Sequence, residues 1–219
     1  MIGFLGGTGP EGRGLGLRLA LAGHDVMLGS REATRAKEAA ARVSARAQGA
    51  SVQAGRNEDV ASRADVVFVT VPYEGQRPVL ESLAEALSGK IVVTTVVPLG
   101  FDAGEANFLP IEAGSAAMEA GGVLPKSRVV AAFQTISAHD LLNPEKRIDS
   151  DVVVCSDDEE AKTTVSSLAE EIPGIRAVDG GGLRNAVFVE HITPLILNVN
   201  RIHGGRAAIQ LTGLGERRK

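Results

Sequence analysis

Gly7, Gly9 and Gly12 stand at G-x-G-x-x-G spacing within Gly6-Gly7-Thr8-Gly9-Pro10-Glu11-Gly12, and the chemistry that spacing serves is the holding of a pyrophosphate. Gly7 allows a tight turn, Gly9 lets the backbone approach the phosphates, and Gly12 lets a following helix pack close to the preceding strand. The free N–H groups of that helix's first turn face the anion. The chain has 26 glycines, so the spacing alone can arise by chance as an ordinary glycine turn. Its context is what raises it: an apolar strand, Ile2–Leu5, lies in front, an amphipathic helix behind, and a second apolar strand over Val26–Gly29 follows.

The end of that second strand chooses the dinucleotide. An NAD-preferring site places Asp or Glu there, about 20 residues after the glycines, to bind the ribose 2′-hydroxyl. Here the place is held by Gly29, Ser30 and Arg31, and the first acid after them is Glu32. A carboxylate would repel a 2′-phosphate, whereas a hydroxyl and a guanidinium satisfy it with charge-assisted bonds of about 1.5–3 kcal/mol each. Arg35, one helical turn beyond Arg31, adds a second cation on the same face. Ser30 also reads as a simple helix cap with both arginines solvated, and the two roles are compatible. The pattern points to NADP rather than NAD.

The elements that must position these residues follow from apolar runs and their period. β-Branched runs recur at Ile2–Leu5, Asp25–Leu28, Ser51–Ala54, Asp65–Val71, Ile91–Thr95 and Arg128–Ala132. Helical patterns at Glu11–Ala22, Glu32–Gln48, Glu74–Leu87 and Ile111–Ala120 separate most of them. Continuous apolar strands imply burial on both faces and hence a parallel sheet flanked by helices. Two more strands, Asp151–Cys155 and Ile175–Val178, flank a helix over Asp158–Ile172 with a capping signal at Ser156-Asp157-Asp158. Leu183–His203 is a long apolar helix with a kink expected at Pro194. The segment Val97–Pro110 reads as a long loop beyond the fifth strand, a candidate wall of the site. The fold class is therefore α/β: a doubly wound Rossmann-type NADP-binding domain over residues 1–180 and a small C-terminal helical segment over 181–219.

Composition narrows the partners. The 219 residues carry a net charge of −4 with 23% charged side chains, and no basic face suggests nucleic acid. No apolar run approaches the roughly 18–20 residues of a membrane span. The first strand begins at once, which argues against a signal peptide, and the lone Cys155 sits in an apolar run that reads as a buried strand. A cytoplasmic protein is expected.

The sequence resembles the deazaflavin-dependent NADP reductases, the NADPH:coenzyme F-420 oxidoreductases. The matching stretches are Leu5–Gly9, Gly29-Ser30-Arg31, Asn57-Glu58-Asp59, Thr70–Glu74, Ile91–Pro98, Ala131–Ala138, Val154–Asp158 and Thr193–Asn198. The segment TPLILN at Thr193–Asn198 and the Ser-Arg pair after the second strand are together fairly specific. The family's fold is similar to the coenzyme domain of pyrroline-carboxylate reductases and of STEAP-type metalloreductases. The resemblance implies NADP contacts at Thr8, Gly9, Pro10 and Glu11, and at Ser30, Arg31 and Arg35. It implies Val71, Gly75, Val97 and Ala138 around the nicotinamide half, with coenzyme F-420 against Ile136 and its neighbours and the Ala208 region lining its other side. Two departures fall in that second site: Gln134 where relatives can carry His, and Ser137 in place of a proline.

A deazaflavin has carbon in place of flavin N5 and carries hydride. Transfer between it and nicotinamide C4 needs two rings held at about 3–3.5 Å with water excluded, and no catalytic side chain is formally required. The residues near the site then read as positioning groups. Val71-Pro72 backs the nicotinamide or merely ends a strand; Thr135 and Ser137 bond a cofactor carbonyl or cap a loop. His139 reads as an exposed loop residue, His191 and His203 as packing or interface residues, and the tail Glu216–Lys219 as frayed. Arg184, Arg201 and Arg206 are cations that can meet the deazaflavin's anionic tail or stay solvated. The long last helix has more apolar surface than one buried face needs, so a homodimer with this helix in the interface is expected, core packing within one subunit being the alternative. Alternative functions are an NADP-dependent reductase of an imine, ketone, flavin or metal, or an NADP-binding regulator without turnover.

Overall fold

The computed structural model describes residues 1–47, 49–50 and 52–214. Ser51 at the head of the expected third strand, Gln48 at the end of the expected second helix and the tail Glu216–Lys219 lie outside them. The chain runs β1 (Ile2–Leu5), α1 (Pro10–Leu21), β2 (Val26–Ser30), α2 (Ala33–Ser44), β3 (Val52–Arg56), α3 (Asn57–Arg63), β4 (Val66–Val69), α4 (Tyr73–Leu83) and β5 (Ile91–Thr94). It continues through β6 (Leu99–Asp102), β7 (Glu105–Phe108), α5 (Ala116–Val123), β8 (Arg128–Ala131), α6 (Ala138–Leu141), β9 (Ser150–Val154), α7 (Glu159–Glu170), β10 (Ile175–Asp179) and α8 (Ala186–His203).

Six strands form one parallel sheet in the order β3-β2-β1-β4-β5-β8. Their side chains alternate between two cores, which is why every residue of β1 is buried and the run reads as continuously apolar. Phe4 stacks on Phe68 in a core that also holds Leu15, Leu17, Val130 and Val165. Leu5 belongs to a second core with Val60, Leu80, Val92 and Ala117. The strand order reverses between β1 and β4, and a doubly wound sheet opens its ligand crevice at that switch point, beyond the strands' carboxyl ends.

The structure adds detail to these elements. The parallel sheet stops at β8, because β9 and β10 pair only with each other and meet it through one antiparallel bridge between Ala131 and Cys155. The expected loop Val97–Pro110 contains a hairpin, β6-β7, turned by Ala103 and Gly104 with φ of 47° and 82°. Helix α5 starts only at Ala116, where Ser115 accepts a bond from the Met118 amide, so Ile111–Gly114 is not helical. Helix α8 runs through Pro194 without interruption, preceded by a single 3-10 turn at Leu183–Asn185. Leu183 of that turn and Ala186 of α8 belong to the second core and Val189 packs against it, so this segment packs on the same sheet as the rest.

Candidate active site

The glycine turn is built from Gly6 outward. Gly6, with φ of 69°, makes the left-handed turn that Gly7 was expected to make. Gly7 is instead a close-approach residue: its amide donates to the Gly29 carbonyl at 2.9 Å, and a Cβ there would lie 2.8 Å from the Phe4 Cβ. A Cβ on Gly12 would lie 2.6 Å from the Gly7 Cα and 2.7 Å from the Thr70 hydroxyl, so α1 sits directly against the turn. Gly9 is different. Nothing lies within 4 Å of the Cβ position at Gly9, the N-cap of α1, and Pro10 begins the helix without needing an N–H. The open side of the helix terminus, bordered by half-buried Thr8, is where a diphosphate fits.

Glu11 in the first turn of α1 is half-buried, yet one carboxyl oxygen is fully enclosed with no partner. Burial pushes its pKa up to about 8, outweighing the helix terminus, which favours an anion. Burial thus favours the neutral, protonated form of this side chain.

At the ribose end, Ser30 is buried and its hydroxyl accepts from the Glu32 amide at 3.3 Å. The helix N-cap is Glu32, so Ser30 braces the turn ahead of α2 rather than capping it. Arg31 and Arg35 are exposed; the Arg31 carbonyl accepts from Arg56, and Arg35 meets Glu32 only at 4.0 Å. A cavity of about 160 Å³ between α1 and α2 is lined by Thr8, Arg13, Arg35, Glu38, Ala39 and Arg42. Arg13 and Arg42 were not anticipated, although the seven-residue step from Arg35 to Arg42 along one helix was a readable signal.

The other end lies beyond β4, β5 and β8, three neighbours in the sheet. Val71 packs its Cγ1 against Gly6, Gly75 sits in the first turn of α4 with its amide on the Pro72 carbonyl, and Val97 is half-buried past β5. The loop after β8 begins with Phe133 at φ of 71°, a backbone state that a bulky residue seldom adopts. Next comes Gln134, buried, whose Nε2 donates to the Thr94 carbonyl at 3.3 Å. Its Oε1 is enclosed and unpartnered. Ile136 is buried, Ala138 is half-buried at the start of α6, and the Ser137 hydroxyl accepts from the Asp140 amide as the cap of α6. Val71, Val97, Gln134, Ile136 and Ala138 thus share the carboxyl edge of the sheet. Ala208 is exposed, on a tail that begins at Arg206, paired with Asp140 of α6 at 2.7 Å, and then follows β9 through the Ile209 carbonyl.

Buried polar groups fix this edge. Thr193 in α8 donates to the Gln134 carbonyl at 3.2 Å. Glu190, three residues earlier, accepts the Ala116 and Ala117 amides at 2.8 and 3.0 Å, and burial pushes its pKa to about 7. The Thr94 hydroxyl donates to the Gln76 Oε1, and Gln76 donates to the Ala116 carbonyl. Arg18, buried in α1, donates to the carbonyls of Asp140, Leu141, Asn143 and Lys146 and so closes the C-terminal end of α6. Although burial opposes it, Lys146 and Arg206 hold the Asp140 carboxyl below its ordinary pKa. Arg201 and Arg206 are paired with Glu105 and Asp140, whereas Arg184 is exposed. His191 stacks on Phe108 of the hairpin. No cluster of metal-ligating side chains occurs among the described residues.

The sheet order, the glycine turn and the open helix terminus define a Rossmann-type dinucleotide-binding protein. The family model "NADP oxidoreductase coenzyme F-420-dependent" matches residues 1–98. The chain is 42% identical over 224 aligned positions to an F-420-dependent NADP reductase of Methanothermobacter marburgensis, covering 98% of this chain and 99% of that one. It belongs to the F-420-dependent NADP reductase family. A crystal structure from Arthrobacter sp. FB24 superposes with a TM-score of 0.82 at 24% identity, covering 96% of this chain and 99% of that one. The NADP-bound pyrroline carboxylate reductase of Plasmodium falciparum shares the fold at a TM-score of 0.55 and 14% identity, over 81% of this chain and 57% of its own.

Proposed function

We propose that this protein is an oxidoreductase that moves a hydride between NADPH and the 8-hydroxy-5-deazaflavin coenzyme F-420. The observation that carries the reading to this chain is the enclosed, unpartnered Gln134 amide oxygen at the carboxyl edge of β5 and β8. A buried acceptor without a donor costs about 1–3 kcal/mol, and a small shift of the Gln134 side chain would offer it to ring or carboxamide N–H groups arriving at this edge. When bound, the two cofactors supply the hard chemistry, in which only C–H bonds form and break at the reacting atoms. The chain's own residues bind and orient. The α1 terminus and Thr8, Gly9, Pro10 and Glu11 hold the diphosphate, and Ser30, Arg31 and Arg35 hold the 2′-phosphate. Val71, Gly75 and Val97 back the nicotinamide, while Ile136, Ala138 and the Ala208 tail exclude water from the second ring. In this reading residues 1–180 carry the nucleotide and the segment from 181 completes the second site.

The same reading includes a homodimer. Phe188, Leu195 and Ile202 are 73%, 58% and 68% exposed and recur every seven residues along α8, an apolar stripe on one helix face. No helix among the described residues is long and apolar enough to cross a membrane. A free buried thiol and soluble redox cofactors suit the cytoplasm, the proposed location.

Absorbance at about 420 nm, followed on mixing protein, coenzyme F-420 and NADPH, tests the activity directly. Bleaching that requires both protein and NADPH is expected. An unchanged trace with NADPH binding verified independently overturns the assignment of the second substrate.

A further inference from the structure

On α2, Arg35, Glu38, Ala39 and Arg42 recur at the three-, four- and seven-residue steps that share one helix face. That face closes a cavity of about 160 Å³ whose opposite wall is Thr8 and Arg13, at the glycine turn and the start of α1. Ala39 is buried to 5% exposure, and its methyl group leaves the space between the longer side chains open. Three guanidinium groups and one carboxylate line this space. Among the described residues, Arg13 and Arg42 make no ion pair, and Arg35 makes only the 4.0 Å contact with Glu32. The Arg13 Nε reaches no further than the Gly9 carbonyl, at 3.4 Å. Like charges gathered round one cavity repel unless an anion joins them.

We infer that Arg13 and Arg42 complete the 2′-phosphate site, and that Glu38 sets its net charge. This rests on the NADP reading above and extends it: neither residue belongs to the Ser30-Arg31-Arg35 set. A 2′-phosphate carries about −1.5 to −2 charge at neutral pH, and with Glu38 on the same wall Arg31 and Arg35 leave a net charge of only about +1 to meet it. The cavity runs from Thr8 of the glycine turn to Arg35, the α2 member of the proposed Ser30-Arg31-Arg35 set. Selectivity for NADPH over NADH then belongs to a basket of arginines from two helices.

Fluorescence titration of NADPH and NADH into wild type, Arg13→Gln, Arg42→Gln, Glu38→Gln and Arg31→Gln, at about 50 and 300 mM salt, tests this. All four substitutions change half-buried or exposed side chains, and melting curves check that each variant is folded. Arg13→Gln and Arg42→Gln are each expected to raise the Kd for NADPH about five- to twentyfold with NADH changed less than about twofold, the gap narrowing at high salt. Glu38→Gln is expected to tighten NADPH about two- to threefold at low salt. Equal losses for NADPH and NADH overturn the inference, because they assign the two arginines to the diphosphate. No loss in either variant, while Arg31→Gln still weakens NADPH selectively, overturns it and leaves the NADP reading intact. A wild type that binds NADH as tightly as NADPH overturns both.

Discussion

Thr193 of α8 donates its hydroxyl to the backbone carbonyl of Gln134 at 3.2 Å, and this bond ties the C-terminal helix to the loop beyond β8. Both residues are buried, so removing the donor strands a carbonyl at a cost of about 1–3 kcal/mol. Thr193→Val keeps the volume and removes the bond. It is expected to lower kcat/KM for coenzyme F-420 about tenfold through a displaced Gln134 loop, with the Kd for NADPH within about twofold of wild type. Steady-state kinetics together with NADPH titration separate the two; parallel losses would mean the bond supports the fold as a whole.

Gly9 and Gly12 make opposite demands. A methyl group on Gly12 would overlap the Gly7 backbone and the Thr70 hydroxyl, whereas one on Gly9 would enter open space. Gly12→Ala is therefore expected to lose about 1–3 kcal/mol of stability along with NADPH affinity. Gly9→Ala is expected to melt within about 2 °C of wild type yet bind NADPH at least about tenfold more weakly, since the added methyl group lies in the phosphate's path. Thermal unfolding and nucleotide titration on both variants check the pair.

The proposed 2′-phosphate role of Ser30 and Arg31 has a direct test. The double variant Ser30→Asp, Arg31→Ala places a carboxylate where the 2′-phosphate belongs and removes a guanidinium. NADPH affinity is expected to fall by a factor of about 100 or more while NADH changes little. Equal losses for the two nucleotides, read by titration, would remove the phosphate role from both residues.

These glycines and Ser30-Arg31 were legible because strands buried on both faces leave an unbroken apolar signal on either side of them. The hairpin β6-β7 was not. Its turn needs two residues at positive φ, and Ala103 carries none of the Asn-Gly or Asp-Gly chemistry that marks such turns. Helix α3 escaped because its seven residues span only about two turns, too few for a distinct apolar repeat, although Asp59, accepting the Arg56 amide at 2.8 Å, is a start signal that could have been read. Gln134 was found through the family resemblance, but its orphaned oxygen depends on what Thr94, Phe133 and Thr193 enclose. Nothing local in the sequence singles out Arg18. Only the return of the chain at Asp140–Lys146 makes it a buried cap whose three guanidinium nitrogens meet five carbonyls, Pro144 included, across more than 120 positions.

Glu11 sets a pH dependence whose sign follows from its environment. Its ordinary pKa of 4.5 is raised to about 8 in the folded protein, so the folded state holds the proton more tightly than the unfolded state. That contribution to stability is complete below 4.5 and is lost as pH rises through about 8. Glu190, raised to about 7, acts in the same direction. Melting temperature is expected to decline between about pH 5 and pH 8.5, and Glu11→Gln, which is neutral throughout, to flatten the decline. Wild type and variant with parallel profiles would show that Glu11 ionises freely.

The apolar stripe on α8 gives the dimer a direct test. Helix α8 is covered on one side by the hairpin, where Asn198 pairs with both backbone groups of Ala106 and Arg201 with Glu105. Phe188, Leu195 and Ile202 stay exposed beside that cover. A charge at the middle of the stripe disturbs no core residue, so Leu195→Glu should fold with an unchanged melting curve at low concentration. In a dimer joined through this face the same charge is desolvated twice, once from each copy, at a cost of several kcal/mol. Light scattering coupled to size exclusion is expected to give twice the chain mass for wild type and the single mass for Leu195→Glu. A wild type that elutes as a single chain would leave Phe188, Leu195 and Ile202 exposed in solution and end the dimer proposal.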